Sequence, residues 1–146
     1  MPNWCLNEVA FYFEDVETQR EFVKSIEGTR EETQWTGPDP SDQIVQRVPC
    51  VIVFNEIIPQ PPEDERGEDW DWYSWRIDNW GTKWEPDIIH FDVSLDGCAV
   101  TLEMYTAWSP PEGIYKKLME DWEDRGMSCS WFYREDGMQI AGWLPN

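Results

Sequence analysis

The chain has little positive charge. It carries 11 lysines and arginines against 30 aspartates and glutamates, for a formal net charge of −19. Proteins that bind DNA, RNA or an anionic membrane directly need a cationic surface, so this charge balance argues against all three partners. It favours instead a partner that is itself basic, or simple colloidal solubility.

Long apolar runs are also missing. No stretch approaches the roughly 20 consecutive apolar residues of a membrane span, and the N-terminus lacks the basic and apolar regions of a signal peptide. We therefore expect a cytoplasmic protein with no membrane partner. Its 146 residues fit one domain with a single core.

Residues that carry chemistry are scarce. No metalloprotease, EF-hand, nucleophile-elbow or P-loop signature occurs, so we predict no catalytic residue, no cofactor and no metal. The single histidine, His90, is expected on a strand, away from Phe91 and on the other face from Asp92; an enzyme built on it is the least favoured hypothesis. The cysteines are isolated, which indicates reduced thiols that are mostly core: Cys5, Cys50, Cys98 and Cys129.

Tryptophan is abundant, with 11 in the chain. The segment Trp70 to Trp84 (WDWYSWRIDNWGTKW) holds five of them together with Tyr73, and Gly81 predicts a tight turn near its end. So much aromatic surface must pack on something. The segment is either a second hydrophobic layer on the sheet or a surface that binds a partner.

The first third of the chain predicts a strand, a helix and a loop. Residues 4–13 place apolar side chains on one face, and Asp15 is a good N-cap for the amphipathic helix that follows. Gly28 predicts a left-handed helix end. We expect residues 29–41 to form a loop with Trp35 tucked onto the core, and residues 48–58 to form a core-facing strand.

The second half predicts two hairpins with a helix between them. Residues 88–95 and 98–107 alternate in polarity around Asp96-Gly97, which favours a two-residue primed turn. Residues 128–133 and 138–143 flank Asp136-Gly137 in the same way. Ser109 and Glu112 have capping-box spacing, and Gly126 marks the end of the helix.

This order of elements predicts an α+β fold. With an insertion at about 29–86 set aside, βαββαβ with an extra C-terminal strand remains, the ferredoxin-like split βαβ arrangement. We expect residues 1–146 to form a single such domain, with two helices on one face of an antiparallel sheet. The insertion, with its tryptophan segment, is expected to cover the other face.

Four blocks of sequence resemble a known family. Met1 to Cys5 with Asn7, Asn79 to Trp84, Thr106 to Pro111, and Ile140 to Gly142 are similar to the YubB-type ferredoxin-like family of bacteriophages, conjugative plasmids and integrative elements. The resemblance implies a ferredoxin-like domain from a mobile element, in the cytoplasm of a bacterial host, and no particular reaction. Glu85 departs from the aspartate that often follows the second block.

The preferred functional hypothesis is charge mimicry. Exposed carboxylates could imitate a nucleic-acid backbone and occupy the basic nucleic-acid-binding surface of a host protein, such as a restriction or CRISPR component. The protein would then be a non-enzymatic anti-defence inhibitor. The residues predicted for this role are Glu63, Asp64, Glu65, Glu68, Asp69, Asp71, Glu120, Asp121, Glu123 and Asp124.

An alternative uses the aromatic residues. Trp80, Lys83, Trp84 and Trp108 could line a pocket for a planar small ligand or nucleotide. Lys83, in so acidic a chain, is expected to pair with a neighbouring carboxylate rather than with phosphate.

Overall fold

The computed structural model describes residues 3–145, so Met1 and Pro2 of the first block lie outside the described part. The helices and strands are β1 (Trp4–Tyr12), α1 (Val16–Ile26), β2 (Gly28–Trp35), β3 (Gln43–Cys50), α2 (Phe54–Ile57), α3 (Trp72–Asn79), β4 (Asp87–Val93), β5 (Ala99–Ala107), α4 (Glu112–Trp122), β6 (Ser128–Glu135) and β7 (Ile140–Leu144). A five-stranded antiparallel sheet has the order β4-β5-β1-β6-β7, and β2 and β3 pair separately. The predicted α+β class is confirmed. None of these helices is long and apolar enough to cross a membrane.

One face of the sheet carries the hydrophobic core. Alternate residues of β1 are buried, and the Phe11 ring lies 4.7 Å from the ring of Phe22 on α1. Phe22 in turn lies 5.3 Å from the ring of Trp122 on α4. The two helices therefore pack on the same face of the sheet, as the sequence predicts.

The start of α1 is confirmed and its end is not. The Asp15 carboxylate accepts a hydrogen bond from the Thr18 amide at 2.7 Å, and this bond lowers the pKa of Asp15. Glu27 closes the helix in an extended conformation, and Gly28 opens β2 without a left-handed φ. The predicted glycine stop is wrong because the chain passes directly from the helix into a strand.

The loop predicted at residues 29–41 forms only at 36–41, and its first part is a strand instead. Residues 28–35 are β2, which pairs with β3 in a hairpin that is solvent-exposed on both faces. Because neither face is buried, the strand has no alternation of apolar and polar residues. Trp35 is 61% exposed rather than tucked onto the core. The strand predicted over 48–58 also ends early, since β3 stops at Cys50 and α2 follows.

Both predicted hairpins of the main sheet form, but their turns differ from the prediction. The Gly97 amide donates to the Ser94 carbonyl, which closes a four-residue loop with left-handed Gly97 at φ 74°. In the second hairpin Gln139, at φ 56°, is the left-handed residue instead of Gly137. Each loop is two residues longer than a primed turn because the strands stop pairing earlier.

The predicted capping box at α4 is also wrong. Pro111 is the N-cap residue and provides no side-chain bond, while the Ser109 hydroxyl donates to the Gly81 carbonyl at 2.7 Å. The insertion instead supplies a hydrogen-bond acceptor to the N-terminal end of α4, since the Gly113 amide donates to the Trp80 carbonyl at 3.1 Å. Gly126 ends the helical run in a left-handed conformation, as predicted.

The insertion packs beside the helices and leaves most of the opposite sheet face uncovered. Trp80 is fully buried, and its ring lies 5.8 Å from that of Phe54 on α2. The end of α3 touches the start of α4 at Gly113. The prediction that the tryptophan segment covers the open sheet face is therefore wrong for most of that face, although Trp84 packs against Trp4 at its edge.

The contact at Gly113 gives a stability prediction. A Cβ at this position would overlap the carbonyl oxygen of Asn79. We expect Gly113→Ala to lower the free energy of unfolding by about 1–3 kcal/mol through overpacking. Gly67→Ala is the control, because a Cβ there meets nothing within 4 Å. Urea unfolding followed by tryptophan fluorescence measures both; equal stability of the two variants would contradict the docking of α3 on α4.

Candidate functional site

The first predicted acidic group lies on the surface of the insertion. Residues 63–71, called here the acidic connection, contain one turn of 3₁₀ helix, and their carboxylates are exposed. Asp71 also has a structural role, since it accepts hydrogen bonds from the Ser74 amide and hydroxyl, which lower its pKa. The other predicted carboxylates of this group face solvent: Glu63, Asp64, Glu65, Glu68 and Asp69.

The second acidic group lies at the C-terminal end of α4. Glu120, Asp121, Glu123 and Asp124 are all exposed, and Asp121 pairs with Lys117 at 3.1 Å. Carboxylates at a helix C-terminus are opposed by the helix dipole. Their presence here is therefore not explained by stabilisation of α4.

Three cations in and next to the tryptophan segment lie over aromatic rings. Arg66 lies 4.0 Å from the ring centroid of Trp70, and Arg76 lies 4.9 Å from that of Trp80. Lys83 lies 4.3 Å from the ring of Trp84, so the predicted carboxylate partner is replaced by a ring face. These three cations lie against tryptophan rings, and none of them forms a salt bridge with the acidic connection.

The predicted aromatic pocket does not assemble around Trp80. Its side chain has no exposed surface, and its indole Nε1 donates to the Ile58 carbonyl at 3.0 Å. Trp84 is partly buried, with its ring 5.9 Å from that of Trp4. Trp108 is 43% exposed on a left-handed backbone at φ 69°. With Trp80 sealed in the core, these residues do not line a common surface pocket.

The sequence blocks meet in a buried polar network. Asn7 donates to the Thr106 hydroxyl at 2.9 Å and accepts from the Trp131 indole at 2.9 Å. Thr106 then donates to the Ser109 carbonyl at 2.7 Å. Asn7 and Thr106 are fully buried, so these bonds satisfy polar groups that have no access to water.

The same network ties the insertion to the sheet. Thr82, which is fully buried, donates from its hydroxyl to the Ala107 carbonyl at 2.9 Å. Gly81 has a left-handed φ of 88°, and a Cβ there would crowd the Glu112 amide. We call Asn7, Gly81, Thr82, Thr106 and Ser109 the block junction. The first three blocks thus contribute buried residues to this junction, whereas the last block lies in β7, which is mostly exposed, with Gly142 next to Tyr133.

Glu85 has a role that the sequence does not reveal. Its carboxylate accepts the Phe54 amide at 2.6 Å and the Asn55 amide at 3.0 Å. Burial raises the pKa of Glu85 in spite of these bonds. The carboxylate thus joins the end of the tryptophan segment to the start of α2.

The four cysteines are not paired, and only Cys5 is fully buried, so the prediction that most of them are core is wrong. All four are free thiols, and burial raises the pKa of Cys5 to about 11 and that of Cys129 to about 12. A thiol with so high a pKa is a poor nucleophile. Within residues 3–145, no cluster of histidine, cysteine and carboxylate side chains is suited to holding a metal.

A groove that the sequence did not single out lies on the open sheet face. His90 pairs across the strands with Glu103, and Asp92 pairs with Thr101, so His90 and Asp92 share a face and the prediction that they differ is wrong. Side chains two residues apart in a strand point to the same face, so the sequence alone is enough to place His90 and Asp92 together. The groove has a volume of about 430 Å³ and is lined by Glu8, Val9, Ala10, His90, Thr101, Leu102, Glu103, Ser130, Phe132 and Trp143.

Comparison with known proteins gives no relative for this chain. No protein-family model, curated protein or solved structure matches it.

The block junction gives a second stability prediction. Thr82→Val keeps the shape of the side chain but removes one of the two hydrogen bonds that the Ala107 carbonyl accepts, the other coming from the Ser109 amide at 2.8 Å, so we expect a loss of about 0.5–1.5 kcal/mol. Thr101→Val, on the exposed sheet face, is the matched control and should change stability by less than about 0.5 kcal/mol. Thermal and urea unfolding measure both. A Thr82→Val variant as stable as the control would show that the junction bond is dispensable.

Proposed function

We propose that the protein is a non-enzymatic acidic binding protein that occupies the nucleic-acid-binding surface of a basic host protein. The observation that supports this most strongly is the state of the charges on the insertion. Its predicted carboxylates are exposed, while Arg66, Arg76 and Lys83 lie on tryptophan rings. Within the described residues, no salt bridge joins a carboxylate of the acidic connection to a cation, so this strip presents negative charge that is not held in ion pairs.

The resemblance and the net charge of the chain both favour a protein partner. The resemblance to a family of mobile elements supports, by association only, a partner in host defence. Direct contact with nucleic acid or membrane is disfavoured by the charge of −19.

We also propose that the domain has the ferredoxin-like arrangement. With β2, β3 and the short helices set aside, β1, α1, β4, β5, α4 and β6 follow one another as βαββαβ. Their sheet order, β4-β5-β1-β6, and antiparallel pairing are those of the split βαβ motif, with β7 added at the edge. On this arrangement the insertion replaces the connection between α1 and the second core strand.

Charge reversal at defined places tests the function. In one variant Glu63, Asp64, Glu65, Glu68 and Asp69 become lysine, and Asp71 is kept because it caps α3. We expect capture of the basic partner from a lysate of the bacterial host to be lost. Capture by the unaltered protein should weaken steeply with salt, since the binding is ionic. Immobilised protein, eluted in salt steps and read by mass spectrometry, measures both effects.

The control variant reverses the same number of exposed carboxylates elsewhere: Glu17, Glu27, Asp39, Asp78 and Asp87. Both variants change the net charge equally, so the comparison separates position from total charge. Capture retained by the control alone supports the acidic connection as the site. If both variants bind alike, or if the first still captures the partner, the proposed site is wrong.

A further inference from the structure

The sheet face opposite the helices carries a row of charged, imidazole and aromatic side chains. The strand registers place His90, Glu103, Glu8, Phe132 and Trp143 side by side across all five strands. The row crosses the groove described above. Within the described chain this row is left open: Glu8, His90 and Trp143 are exposed, and the insertion reaches this face only at Trp4, where Trp84 packs.

Two carboxylates in this row oppose each other. Glu8 and Glu103 are direct cross-strand partners, and like charges in this position destabilise a sheet. Arg134, a cation of the same face, pairs with Asp136 at 2.9 Å and so does not offset them. Glu8 and Glu103 therefore hold a negative site that costs stability in the free protein, and a bound cation would relieve this cost.

The other side of the groove is aromatic. The Phe132 and Trp143 rings lie 5.0 Å apart, and Trp143 is 61% exposed. The next row across the sheet has the small side chains Ala10, Thr101 and Ser130, with Asp92 at its β4 end, and so leaves space beside the row of carboxylates and rings. A ligand in this space meets negative charge on one side and ring faces on the other.

We infer that this groove receives an arginine side chain of the basic partner protein. A guanidinium is planar, stacks on aromatic rings and donates to two carboxylates at once, which a compact ammonium does less well. The inference depends on the proposed function only for the partner's positive charge. Phosphate is excluded because Glu8 and Glu103 repel it. Exposed Tyr12, Tyr105 and Trp143 add the residue types that dominate protein-binding hot spots.

Nuclear magnetic resonance titration with N-acetylarginine amide tests the groove without the partner. We expect saturable shifts at the Trp143 indole and at the Glu8 and Glu103 amides in 150 mM salt. N-acetylcitrulline amide, the neutral isostere, should cause none. Shifts confined to the acidic connection, or equal shifts with both probes, would overturn the inference.

A pair of matched variants makes the test specific. Glu8→Gln with Glu103→Gln should weaken binding of the probe by about tenfold and raise the thermal unfolding midpoint, because the like-charge pair is removed. The control double variant, Glu17→Gln with Glu27→Gln, removes the same charge from the two ends of α1 and should leave probe binding unchanged. A raised midpoint also shows that the first variant is folded. Equal probe binding by the two variants would overturn the inference.

Capture experiments separate this inference from the proposed function. If the lysine reversals in residues 63–71 abolish capture but the Glu8 and Glu103 variant captures normally, the function stands and the inference is wrong. If the reversals have no effect while the probe still shifts Trp143, the inference stands and the acidic connection is not the site. A dimer in sedimentation that shields Trp143 would show that a second copy occupies the face, which also overturns the inference.

Discussion

The buried hydrogen bonds of the block junction are the constraint on which the rest of the structure depends. Asn7 and Thr106 hold the central strands to the turn before α4, and Thr82 fastens the insertion to the same turn. Asn7, Thr82 and Thr106 are shut off from water, so a hydrogen bond lost at one of them is not replaced by a bond to solvent. The junction thereby fixes where the tryptophan segment sits, and with it which surfaces remain free.

Two surfaces remain free as a consequence. Trp80 enters the core beside α2, so the acidic connection is left outside as an exposed strip, and the sheet face with Glu8 and Trp143 is left uncovered. Both surfaces are suited to positive charge, one through carboxylates alone and the other through carboxylates beside rings. A basic partner that engaged both would gain affinity from the first and orientation from the second.

The sequence predicts those parts of the fold in which one face is buried. The alternation around Gly97 gives the β4–β5 hairpin, and Asp15 gives the start of α1, because both patterns are local. The β2–β3 hairpin is not predicted because both of its faces are exposed to water. The predicted Ser109 capping box does not form because the serine hydroxyl donates to the Gly81 carbonyl instead. The acidic residues were identifiable from composition, whereas the open-face row requires the register of five strands.

Hydrogen–deuterium exchange of the protein, alone and with a captured basic partner, tests the central claim most directly. The block junction should stabilise the fold without touching the partner, whereas the acidic connection and the open sheet face should bind it. We therefore expect the partner to slow exchange in residues 63–71 and on β6 and β7, while the amides of residues 80–84 and 106–109 exchange at the same rate in both states. Slower exchange at 80–84 and 106–109, with no change at 63–71, would contradict it and make the junction the binding site.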